Sequence, residues 1–151
     1  FPYTTLFRSI QAVPVEGCPF SAHWSLRLRQ AEQRLEAGLV NEADFDEENL
    51  GRSATDILAE LTSLHPLPGP VCFTHGDACL PPFLSRGGRL SGILDMGRAG
   101  ITHPAQDWAL ALRSMRSNFG LYGEKLLREH LPNHCAGEDL LRRFRLLDEF
   151  F

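Results

Sequence analysis

Two tripeptides, His75-Gly76-Asp77 and Asp95-Met96-Gly97, constrain this chain more than any other feature. Each ends a short β-prone run: Val71–Thr74 precedes the first, and Ile93-Leu94 leads into the second. Between them, Phe83–Ser85 and Arg89–Leu94 flank Gly87-Gly88, a dipeptide that readily takes the positive φ angles of a tight hairpin turn. The chain must therefore place Asp77 and Asp95, 18 residues apart, on loops that close one small antiparallel β-element. Carboxylates so placed suit phosphoryl transfer. One accepts or orients the proton of an attacking hydroxyl, and the other holds Mg²⁺ against nucleotide phosphates. The bland alternative makes Asp77 a turn residue and Asp95 a strand-end cap.

The rest of the chain reads as helix. Trp24, Leu28, Ala31 and Leu35 recur at helical spacing, with Gly38 as a stop signal. Ser53 with Asp56 resembles a capping box ahead of Ile57, Leu58, Leu61 and Leu64, and the Pro/Gly cluster His65–Pro70 ends that helix. A further helix starts near Pro104 and carries Trp108, Ala111, Leu112 and Met115. Two more are expected near Leu121–His130 and Glu138–Phe150. Gln11–Phe20, with Pro14, Gly17 and Pro19, reads as a loop. The fold expected is α+β and mostly helical, with one hairpin in the middle.

At 151 residues the chain fits one domain. A net charge of −4 argues against a nucleic-acid partner and leaves room for a cationic small molecule. No apolar run approaches the roughly 20 residues that span a bilayer, and no signal peptide is seen, so a cytoplasmic protein without a membrane partner is expected. Cys18, Cys72, Cys79 and Cys135 lack C-x-x-C spacing and read as reduced, mostly buried thiols. Phe1–Ser9, FPYTTLFRS, matches the in-frame translation of a widely used sequencing-adapter oligonucleotide. Residues 1–9 are thus expected to be an artefact, and 10–151 the native portion of a truncated chain. The alternative is a genuine β-prone segment.

His75-Gly76-Asp77 occupies the place of H-R-D in protein kinases, and Asp95-Met96-Gly97 that of D-F-G. HGDACLP, the run LDMGR, QDWALA, the terminal RLLDEFF and the upstream EAGLV with its acidic run together resemble the aminoglycoside 3'-phosphotransferases. The resemblance covers roughly Ala31 to Phe151. It implies the C-terminal lobe of a protein-kinase-like fold and ATP-dependent phosphorylation of the 3'-hydroxyl of an aminoglycoside such as kanamycin or neomycin, conferring resistance. ATP and Mg²⁺ are the implied cofactors. Asp77 would face the hydroxyl, Asp95 would ligate Mg²⁺, and Arg98 would stand near the reaction centre. His75 and Asp107 would be structural, with Asp107 bracing the catalytic loop.

A polycationic substrate needs clustered carboxylates. The resemblance points to Asp44, Asp46 and Glu47 in the acidic run, to Asp148 and Glu149, and to the α-carboxylate of Phe151, with Arg113 as a further pocket residue. Without it, the acidic run reads as a solvated face.

Pro82 stands where the family keeps an asparagine that ligates a second Mg²⁺, and proline has no side-chain ligand atom. Ser114 and Ser117 stand where the family places acids. No Gly-rich nucleotide loop or strand lysine precedes Asp77, and the single lysine is Lys125. The ATP-binding lobe is therefore expected to be absent, and the chain to be a truncated, inactive fragment. Two alternatives remain: a non-catalytic lobe that only binds aminoglycosides, and another small-molecule kinase of the same fold, acting on choline, a sugar or a macrolide. A metal hydrolase is disfavoured, because no paired-His ligand set occurs.

Overall fold

The computed structural model describes residues 2–64, 69–79, 83–87 and 89–151. Among the described residues are five α-helices and two small antiparallel sheets. Helix α1 spans Pro2–Gln11 and α2 Trp24–Glu36. The apolar stripe of α2 turns Trp24 and Ala31 inward, and the chain leaves the helix through Gly38 at φ +67°, the left-handed conformation a C-terminal stop requires. Helix α3, Ala54–Ser63, begins as expected. The Ser53 hydroxyl accepts the Asp56 N–H at 3.1 Å and donates to the Asp56 carboxylate at 2.7 Å. Its buried face is Ala54, Ile57 and Leu61.

Strand β1, Cys72–Thr74, pairs antiparallel with β4, Gly100–Thr102, while β2, Phe83–Arg86, pairs with β3, Arg89–Ile93, as the expected hairpin. Strand β4 has no counterpart in the sequence expectation. It is three residues long, too short to show alternation, and it is defined by β1 and by Phe20, whose carbonyl accepts the Ile101 N–H.

Helix α4, Ala105–Arg128, joins what the sequence separates into two helices. Gly120 breaks it locally at φ 65°, ψ −163°, a conformation open to glycine, so periodicity restarts there. Helix α5, Glu138–Asp148, packs on α4 and closes the core with Leu141, Phe144 and Leu147. Fully burying a side chain such as Ile57, Leu61 or Leu141 stabilises by about 1.5–3 kcal/mol.

Residues 2–9 form most of α1 rather than a β-prone segment. Phe7 is 0% exposed and lies against Trp108 with ring centroids 4.8 Å apart. The four cysteines are unpaired. Only Cys135 is buried and the others are half-buried, a partial departure from the expectation. Burial pushes the Cys72 and Cys135 thiols up to about 12 and Cys79 up to about 11, so these three stay protonated at neutral pH. No described helix is long and apolar enough to cross a membrane.

Candidate active site

The loop after β1 is held from below by the first turn of α4. The Asp107 carboxylate accepts the His75 N–H and the Gly76 N–H, each at 2.9 Å, one on each oxygen. Gln106 Nε2 donates to the Gly76 carbonyl at 3.1 Å. Burial raises the Asp107 carboxyl to about 6, and the two backbone N–H groups restrain the rise. Gly76 sits at φ +84°, where a Cβ would lie 2.1 Å from the Arg98 carbonyl oxygen. The two turns approach so closely there that only glycine fits.

His75 ties these turns together. Its Nδ1 accepts the Asp77 N–H at 3.2 Å, so the ring proton belongs on Nε2, which lies 2.8 Å from the Leu94 carbonyl and donates to it. The imidazole is fully buried. Asp95 follows Leu94 with φ 57°, ψ 43°, an exposed residue whose side chain does not cap the short 3-10 turn Met96–Arg98.

Asp77 leads into a continuous chain of ion pairs. Its Oδ2 accepts from Arg98 Nη2 at 2.9 Å, and Arg98 Nη1 donates to Asp148 Oδ1 at 2.6 Å. Asp148 Oδ2 accepts from Arg113 Nη2, and Arg113 Nη1 donates to Asp46 Oδ2 at 2.9 Å. Acid and guanidinium alternate from the candidate reaction centre to the acidic loop.

That loop is itself anchored. Phe45 is buried, Glu42 accepts the Ala54 N–H at the start of α3, and Glu48 pairs with Arg145. Glu149 accepts the Asp46 N–H at 3.1 Å and Asn49 Nδ2 at 2.6 Å. Burial raises its carboxyl above the usual range. Glu149 thus braces the loop from just past the end of α5, which a solvated-face reading of the acids does not anticipate.

Asp44 and Glu47 are exposed at the rim, Asp44 bonded to Asn41 Nδ2 at 2.8 Å. The Phe151 ring packs under Arg27, whose guanidinium carbon lies 4.0 Å from its centroid, with Arg98 5.9 Å away. Ser114 is buried and its carbonyl accepts Asn118 Nδ2, whereas Ser117 lines an open groove of about 790 Å³ with Asp46, Glu47 and Arg113. Pro82 lies outside the described residues.

Sequence reasoning passed over Gln106 and Asn49. Gln106 precedes the singled-out Asp107 on the same helical turn, and that adjacency is the signal that marks it. Nothing local marks Asn49, which meets Glu149 from 100 residues away.

A loop braced by a buried aspartate, and an imidazole joining it to a second aspartate-bearing turn, accompany a kinase-like fold. The chain belongs to the phosphotransferase enzyme family, whose sequence profile matches residues 5–144. The relatives it resembles are aminoglycoside 3'-phosphotransferases. That of Niallia circulans is 34% identical over 150 residues, covering 99% of this chain and 57% of the relative. One from Escherichia coli is 38% identical over 150 residues, covering 95% of this chain and 53% of the relative. The crystal structure of an aminoglycoside 3'-phosphotransferase of type VIII superposes with a TM-score of 0.86 at 32% identity, covering 98% of this chain and 58% of that one. An aminoglycoside phosphotransferase from Streptomyces rimosus, in complex with ADP and streptomycin, shares the fold at TM-score 0.80 and 21% identity, over 99% and 60% of the two chains. The chain spans about half the length of the curated relatives it matches.

Proposed function

We propose that this chain is the C-terminal, substrate-binding and catalytic lobe of a cytoplasmic aminoglycoside 3'-phosphotransferase, residues 10–151 being native and the ATP-holding lobe lying outside it. The observation that carries the proposal is the latched pair of turns bearing Asp77 and Asp95, joined through Arg98, Asp148 and Arg113 to a groove that the acidic loop lines. Asp77 would accept the proton of the 3'-hydroxyl as its oxygen bonds to the γ-phosphorus of ATP and the bond to the departing ADP breaks. Arg98, on the same carboxylate, would orient Asp77 and lie near the charge on the transferring group.

Asp95 fits a Mg²⁺ site of one particular kind. It is one exposed carboxylate, and no group of three or more His, Cys, Asp or Glu side chains forms a metal cage among the described residues. That suits an ion which takes most of its ligands from phosphate and water. Bound there, Mg²⁺ would neutralise charge on the phosphates. Asp44, Asp46, Glu47, Asp148 and the Phe151 carboxylate would receive the ammonium groups of kanamycin or neomycin, with Glu149 holding the acidic loop in place.

Pro82 favours the second reading, a lobe that binds aminoglycosides without phosphorylating them. Fusing the chain to the nucleotide-binding half of a relative and assaying kanamycin phosphorylation separates the two. Activity should be weak, should rise at least tenfold with Pro82→Asn, and should vanish with Asp77→Asn. A fusion that binds ATP and kanamycin but transfers no phosphate, even with Pro82→Asn, would establish the binding-only reading.

A further inference from the structure

Two of the carboxylates that a polycation would use, Asp46 and Asp148, are already occupied. Both oxygens of Asp148 face guanidinium groups, and Asp46 Oδ2 and Asp77 Oδ2 face one each. Three carboxylates thus stand against two guanidiniums, so this row of side chains keeps one net negative charge rather than three. Arg113 is the centre of this arrangement on the groove side. It bridges the acidic loop to α5 and lines the groove. We propose that Arg113 is a resident counter-ion, which ammonium groups of the ligand displace from Asp46 and Asp148, and that it sets the minimum charge a ligand must bring.

This inference rests on the aminoglycoside reading given above. Asp46 and Asp148 come from segments 102 residues apart, and a guanidinium holds them together by donating from both of its ends. Without Arg113, Asp46 would lose its guanidinium and Asp148 would keep only Arg98, and the two half-buried carboxylates would repel across the gap. Burial works against the Arg113 charge, and the two carboxylates more than offset it, so the side chain stays ionised while it waits. A ligand with one ammonium group could replace only one end of the fork, and the other carboxylate would lose its Arg113 partner with nothing in its place. A ligand with two correctly spaced ammonium groups replaces both ends, and Arg113 then swings toward the solvent side of the groove. Charge selectivity follows from geometry: polycations exchange and monocations do not.

The test is calorimetric titration of kanamycin into the chain and into Arg113→Met, which keeps the apolar stem and removes the charge. The variant should bind about tenfold tighter or more, and its affinity should fall more steeply with salt, because no internal ion pair is broken on binding. Methylamine, with a single charge, should bind neither protein measurably. Kanamycin binding to the unsubstituted chain with no gain in Arg113→Met would overturn the inference alone. Failure of both proteins to bind would overturn the aminoglycoside reading, and the inference with it. Should Arg113→Met not fold, the Arg113 side-chain N–H resonances of the unsubstituted chain decide the matter. They should lose exchange protection when kanamycin is added, and unchanged protection refutes displacement.

Discussion

Replacing Asp107 with asparagine tests the brace beneath the candidate catalytic loop. The carboxylate accepts one N–H on each oxygen, from His75 and Gly76. An asparagine has one accepting edge, so its amide N–H₂ must face one of those donors. An unsatisfied buried donor costs about 1–3 kcal/mol. Against this, asparagine removes a buried charge. Asp107 titrates at about 6 in the folded protein, because burial disfavours its ionised form, against 3.8 ordinarily. The folded state holds this proton more tightly, so the carboxyl lends the fold about 3 kcal/mol below pH 3.8, and this is lost as the pH rises through about 6.

The two effects nearly cancel at neutral pH and separate in acid. Urea unfolding of both proteins, followed by tryptophan fluorescence at pH 7.5 and pH 4.5, should show the stability difference moving about 2 kcal/mol toward the unsubstituted chain at the lower pH. The amides of His75 and Gly76 should exchange at least about tenfold faster in Asp107→Asn at neutral pH. A stability difference that does not change with pH, or unaltered exchange at these two amides, would refute the account of Asp107 as a buried, titrating brace.

Phe7→Ala should destabilise the chain by about 3 kcal/mol, measured by thermal unfolding, because it empties a fully buried site against Trp108. An unchanged melting temperature would show that α1 is not docked. Gly76→Ala should cost more than about 2 kcal/mol, combining left-handed backbone strain with a collision against the Arg98 carbonyl. Its circular dichroism should still report the α4 and α5 helices, since the damage is confined to the loop.

Much of this architecture is legible in the sequence, for local reasons. The Ser53 cap, the Gly38 stop and the Gly87 turn each act within a few residues, so α2, α3 and the hairpin fall where local chemistry puts them. Strand β4 was not legible because its partners lie far away in the chain, and the two α4 arms read as separate helices because Gly120 breaks the periodicity between them. The candidate site divides the same way. Asp77, Asp95 and Asp107 stand in motifs, and the structure brings their segments together through short bonds. Arg98 and Arg113 were legible as residues but not as a bridge, since Asp148 lies 50 and 35 residues beyond them. Glu149 was grouped with the ligand acids because composition cannot separate an acid that faces solvent from one that faces a backbone N–H.

The imidazole of His75 acts as a gauge block. With one nitrogen against the Asp77 turn and the other against Leu94, the width of a five-membered ring, rather than the length of the hairpin, spaces the two aspartate-bearing turns. The β2–β3 hairpin is then a detour between two clamped ends. An insertion at its tip beside Gly87 should therefore leave the spacing of the two turns unchanged, because the imidazole and not the hairpin sets it.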